Sequence, residues 1–285
     1  MIRRMLPTLI LAVTAGLYPA PAAAGGDGVG GGNLVGVRGL LRVAAAANQP
    51  SGTLSLGTEV QFYWMPEMLA GPTGGQDHSR LENSITVAFT PWRYMEAAFS
   101  ARVASDSSSG GGAGDELQVA VGDPRLVIKG GAEVVGGLSL GAMVDLRFLA
   151  GAGYFESAAA ATSGLFALLV SWDGGQALPL GVHLNIGFFM EGSGNLVDDP
   201  SRLSQAQLHA AGVSSFHRVV TRLGLAYQTR HAGPFLEAGM ENLVGSDAPG
   251  VSRHPIYLSG GLRFWPTRSR SVQLLAAVDV GLAGV

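Results

Sequence analysis

The chain has 285 residues, of which 47% are hydrophobic and only 14% charged, with 43 glycines, a mean hydropathy of +0.28 and a formal net charge of -3. That balance is too apolar for an average soluble domain, and scattered arginines with the single lysine Lys129 exclude the clustered basic surface that nucleic acid requires. The absence of cysteine excludes disulfides, thiolate metal sites and lipoprotein acylation.

Residues 1–24 set Arg3 and Arg4 before an apolar run from Leu6 to Leu17 and end in Ala22, Ala23 and Ala24. This is the pattern of a secretory signal peptide with an A-x-A cleavage site, so these residues are expected to leave the mature protein. The apolar run is shorter than the roughly 20 residues of a spanning helix, and no later stretch is apolar and glycine-free for long enough to form one. Residues 25–33 read as a Gly-rich linker, and residues 34–285 as one domain.

The rest of the chain alternates. In 138–148, Leu138, Leu140, Ala142, Val144, Leu146 and Phe148 fall on one side of an extended chain, while Ser139, Met143, Asp145 and Arg147 fall on the other. Taken in order, segments 34–45, 53–64, 81–90, 95–103, 125–132, 138–148, 164–172, 180–190, 218–228, 236–242, 256–264 and 272–282 repeat the pattern. Each is close to the ~10 residues with which a tilted strand crosses a bilayer. Short turns near Pro91, Gly136, Gly174, Gly233 and Pro266 take turns with longer polar stretches at 65–80, 105–116, 150–162, 191–215 and 244–254. In the last-but-one of these, Asp199, Pro200 and Ser201 begin a short capped helix. The tryptophans Trp64, Trp92, Trp172 and Trp265 close strands, as an aromatic girdle would. The expected fold is therefore all-β, an antiparallel transmembrane β-barrel of about 12 strands with short periplasmic turns and longer extracellular loops. Twelve crossings put both termini on the long-loop side, so either 34–45 is a periplasmic-side or plug segment, or a closing strand is wanting after Val285.

The layout resembles Gram-negative outer-membrane β-barrel proteins of porin-like character, on GVRGLLRV at 36–43, GTLSLG at 52–57, TPWRYME at 90–96, GDPRLVIKGG at 122–131 and HLNIGFF at 183–189. The resemblance implies fold and outer-membrane location, with outer-membrane lipid and the barrel-assembly machinery as partners, and brings no catalytic residues.

Candidate chemistry is sparse. The match to G-x-G-x-x-G at 26–31 opens no helix, and the match to G-x-S-x-G around Ser139 lies inside an unbroken strand, where a nucleophile elbow cannot form. Among His78, His183, His209, His217, His231 and His254 no pair has metal-ligand spacing. No catalytic, cofactor or metal site is expected, and an outer-membrane lipid-active enzyme is disfavoured. The informative set is the charges on the polar faces, expected to line the lumen: Arg38, Arg42, Glu59, Glu82, Glu96, Arg102, Arg125, Lys129, Asp145, Arg147, Arg218, Arg222, Glu237, Glu241, Arg263 and Asp279, with His183. Folding each hairpin about its turn sets Glu82 opposite Arg102, Arg125 near Asp145 and Arg222 opposite Glu241. Such pairs contribute roughly 0.2–1 kcal/mol each. Small lumen-facing residues leave interior space, which favours a passive channel for small polar solutes over a closed structural barrel.

Overall fold

The computed structural model describes residues 6–17, 32–71, 74–110, 116–148, 162–175, 178–196, 214, 216–245, 248–267 and 270–283. Eleven strands, β2 (Leu54–Gly71), β3 (Gly74–Trp92), β4 (Met95–Gly110), β5 (Glu116–Val135), β6 (Leu138–Phe148), β7 (Thr162–Asp173), β8 (Leu180–Met190), β9 (His217–Tyr227), β10 (Ala232–Val244), β11 (Ile256–Phe264) and β12 (Val272–Ala283), form one curled sheet. Each is antiparallel to its chain neighbours.

A further strand, β1 (Leu6–Leu17), pairs with both edges of that sheet and closes it, Leu11 facing Val60 of β2 on one side and Ala276 of β12 on the other. Because β2 and β12 are each antiparallel to β1, they run the same way. Only a strand laid between them in the opposite sense makes the wall antiparallel throughout. The wall thus differs from the expected one in membership: Leu6–Leu17, assigned to the export signal, stands in it, and 34–45 does not.

Alternation decides which way each ribbon faces. In β6, Ser139, Met143 and Asp145 are buried inside the curl, while Leu140 and Phe148 are exposed outside it. The same split runs around the sheet, from Leu56 and Phe62 through Ile85, Phe99, Ile128, Leu168, Ile186, Leu225, Leu236 and Leu262 to Val278, all exposed. The aliphatic rows therefore coat the outside, and the ionic rows point in. Gly136 and Gly137, at φ +50° and +81°, turn β5 into β6 in two residues. This is the backbone that two-residue hairpins select glycine for, because its twist matches that of the strands.

Three expectations are corrected. The stretches 65–80 and 105–116 are largely strand, since β2 and β3 pair from Leu54–Phe89 up to Gly71–Gly74, and β3 and β4 pair up to Gln76–Gly110. Their Gly, Ser, Asp and Gln content reads as loop, but a tall ladder satisfies the backbone whatever the side chains. Trp64 lies within β2, not at its end, and Trp265 is wholly buried instead of joining a girdle; Trp92, at the end of β3, is exposed. Third, of the alternatives for 34–45 the wall strand is overturned and the plug segment holds, since it forms only isolated bridges, Gly32–Arg38 and Gly39–Ala44. The proposed helix beginning at Asp199 lies outside the described residues, as does most of the 25–33 linker.

Candidate functional site: a lumen filled by residues 33–49

Residues 33–49 fold back on themselves inside the barrel. Leu34 N–H donates to Leu41 O at 3.0 Å, Leu40 N–H to Val43 O at 2.8 Å and Ala45 N–H to Arg38 O at 2.9 Å. Gly36, at φ +85°, and Gly39, whose Cβ would fall 2.3 Å from Val43 O, permit these reversals. Val37, Leu40, Leu41, Val43, Ala44 and Ala46 are completely buried and pack against wall residues such as Val127, Leu169, Phe235 and Leu275. Arg38 and Arg42, expected on a wall strand, belong to this plug.

Wall side chains take up the backbone groups the plug cannot satisfy itself, as burial demands. Glu237 Oε1 accepts from the N–H groups of Leu41 (2.7 Å) and Val43 (3.1 Å), and its Oε2 accepts from Arg42 N–H (2.9 Å). Glu96 accepts from Arg38 N–H at 2.9 Å and from Gln49 N–H, and pairs with Lys129 at 2.9 Å. The Lys129 ammonium, fully buried, donates to the carbonyls of Ala45 and Ala47 at 2.9 Å each. Asn185 holds Ala44 from both sides, accepting its N–H at 2.7 Å and donating to its carbonyl at 2.8 Å. Ser171 Oγ accepts from Ala46 N–H at 2.8 Å, and Arg42 pairs with Asp279. Glu96, Lys129 and Glu237 lie on the inner face as expected; Glu96 and Lys129 pair directly across β4 and β5, and all three also grip the plug. Asn185 and Ser171 are anchors that the sequence pattern does not single out. Their only sequence signal is a polar residue on an inner face.

The small inner residues have a different use from the one anticipated. A Cβ on Gly131 would fall 2.0 Å from Ala46 O, one on Gly224 would fall 2.6 Å from Leu40 Cδ1, and one on Gly141 would fall 2.6 Å from Gly130 O and 3.4 Å from Ala46 O. The space the sequence left in the wall is occupied by the plug.

Plug anchors such as Glu96, Lys129 and Ser171 stand toward the short-turn ends of their strands, with Asn185 and Glu237 near the middle of theirs. Toward the long-loop ends the lumen is lined by charge. Arg102 reaches Glu82 at 3.4 Å and Asp123; Asp145 takes a two-pronged contact from Arg125 and another from Arg147 at 3.5 Å; Glu241 receives Arg218 at 2.9 Å and Arg222 at 3.6 Å. All three expected pairs are met, but diagonally: Arg102 stands across from Ser84, Asp145 from Val127 and Glu241 from Val220. Strand twist brings the i, j±2 neighbours within reach of an arginine. Arg147 and Arg218 flank the Phe189 ring at 4.9 and 4.7 Å. The Arg102 and Arg147 side chains remain about a third exposed, at 34% and 33%. Glu59 faces inward with Gln61 and Ser84 as partners, beside a small cavity lined by Asn33, Gly57 and Thr86.

Beyond the end of β8, Glu191 ties three elements together. It accepts from Ser163 Oγ at 3.0 Å and Ser193 N–H at 3.1 Å, and pairs with Arg218. Burial alone would raise its carboxyl, but the Ser193 hydrogen bonds and the Arg218 guanidinium outweigh that and hold it below the usual glutamate range. A carboxylate depressed by folding stabilises the folded state above its unfolded pKa and ceases to as pH falls through the folded one. Protection of the 191–196 amides against hydrogen exchange is therefore expected to hold at neutral pH and fall as the solution is acidified below the ordinary carboxylate range. Glu191→Gln should show the lower protection at every pH.

His183 is buried, with Nδ1 2.8 Å from Ser171 Oγ; His217 Nδ1 accepts from Glu191 N–H at 3.0 Å, and His254 Nδ1 lies 3.0 Å from Asn242 Oδ1. Ser139 is buried within β6. Among the described residues no three His, Asp or Glu side chains gather as metal ligands. Neither the models of known protein families nor the curated proteins contain a match to this chain.

Proposed function

We propose that the chain is an outer-membrane β-barrel, exported on residues 1–24, whose lumen is held shut by residues 33–49. The observation that carries this reading is the pairing of an apolar exterior with a polar interior gripping its own chain. Rows with Leu168 at 68% and Ile85 at 67% exposure encircle the wall, whereas the largest apolar patch on a soluble monomer is a few hundred Å². Lipid is the solvent that suits such rows, and inner-face charge with an inserted segment is the arrangement of a plugged barrel. Its partners are outer-membrane lipid and the machinery that inserts barrels. It performs no chemistry.

The test is recovery of the protein in outer-membrane fractions as a species that migrates faster on a gel unboiled than boiled, and that carries no current across a planar bilayer. Recovery only as a soluble species ends the membrane reading; steady conductance by the intact chain ends the closed-lumen reading. The mass of the folded protein decides the place of β1. A mass short by residues 1–24 assigns them to the signal, whereas a mass including them makes Leu6–Leu17 a permanent wall strand.

The partly exposed arginines above the plug favour a second reading, a passive channel for small polar solutes that conducts when residues 33–49 leave the lumen.

A further inference from the structure

Arg263 stands on the inner face of β11 near its short-turn end, 1% exposed, and none of its three guanidinium nitrogens has a hydrogen-bond partner. Buried arginine is ordinarily paired, because its desolvated charge and five N–H groups must be satisfied. The Phe235 ring, 5.5 Å away, offers only its face. Glu237 is the acid whose charge reaches Arg263, but its oxygens are committed to the N–H groups of residues 41–43.

The surroundings share this excess of donors. Trp265, two residues on and completely buried, has an unpartnered indole Nε1–H, and so do Arg38 Nε and His183 Nε2 lack partners. Ser171 Oγ accepts from Ala46, and where its own hydrogen goes to His183 Nδ1 the ring hydrogen is left on Nε2. Arg38 and Arg263 both act electrostatically on His183. One acceptor, Gln273 Oε1, is also left over there; its amide nitrogen donates to Gly32 O at 3.4 Å. Of the carboxylates acting on Arg38, Glu96 is engaged by Lys129 and the plug N–H groups, and Asp173 accepts from Gly175 N–H at 2.9 Å.

We propose that Arg263 anchors a buried oxyanion site at the short-turn end of the lumen, taking a carboxylate or phosphate group with the Trp265 indole N–H as a second donor. A planar guanidinium fork presents two parallel N–H groups to such oxygens, and the indole N–H adds a neutral donor. The oxyanion is a free anion from the short-turn side.

The experiment titrates inorganic phosphate into the full-length protein folded in detergent, at constant ionic strength, by calorimetry, with unboiled gel mobility as the check of folding. The expected result is saturable binding, weakened about tenfold or more by Arg263→Gln and by Arg263→Lys, which keeps the charge but loses the fork. Arg93→Gln, in the β3–β4 turn, should leave binding unchanged. No binding by the wild type overturns the proposal, as does binding that both Arg263 variants leave intact. Should Arg263→Gln fail to fold, Arg263→Lys carries the comparison. The readout needs no membrane, so it stands or falls apart from the reading of the barrel above.

Discussion

Deleting residues 34–46 should turn an electrically silent barrel into a conducting one. The wall strands make their ladders with each other and not with the plug, so the sheet has no backbone hydrogen bond to lose from its own pairings. What is lost is the apolar contact of Val37, Leu40, Leu41 and Val43, all completely buried. At about 1.5–3 kcal/mol for each fully buried aliphatic side chain, the barrel should unfold at lower temperature or denaturant. The freed space should hydrate readily, because Glu96, Lys129, Asn185 and Glu237 would then face water. Gly131→Val tests the same idea without a deletion, since a Cβ there meets Ala46 O at 2.0 Å and must push the plug aside. The measurement is single-channel current in a planar bilayer. A deletion variant that keeps its unboiled mobility yet passes no current would show that something else shuts the lumen.

Leu168→Arg is expected to cost about 2–4 kcal/mol when the protein folds into lipid vesicles, the depth-dependent penalty for a cation on the lipid face of a barrel. Leu168 is 68% exposed on β7, between Ala142 of β6 and Ile186 of β8. Were this surface in water, the same change would fall within about 0.5 kcal/mol, as exposed substitutions do. The two environments therefore predict outcomes differing by one to three orders of magnitude in the folding equilibrium. Leu168→Ala separates the charge from the loss of the side chain. Denaturant titration of vesicle-bound protein reads the difference, and an Arg variant as stable as the Ala variant would remove lipid from the outside of this wall.

The chain itself determined the direction in which each ribbon faces. Period-two alternation assigns every side chain of a strand to one of two sides, and it did so correctly for β6 and for the inner rows holding Glu82, Arg125, Arg222 and Asp279. It also found the charge pairs, since partners in one hairpin are close in sequence, and missed only the diagonal offset that sheet twist imposes. Strand length was less legible. Polar composition above Trp64 and Val103 says loop, while the ladder that extends β2 to β4 depends on the backbone alone.

What only the tertiary structure decided is the contents of the barrel. The pattern at 34–45 fits a wall strand as well as any other, with Arg38 and Arg42 on one face and Val35, Val37, Leu41 and Val43 on the other. Its place in the lumen rests on contacts such as Arg42 N–H to Glu237, 195 residues apart, and on glycines in other strands that leave room for it. Local periodicity is set by neighbours one and two residues away. It says which side of a ribbon is oily, and carries no information about which remote segment fills the space that a closed sheet encloses.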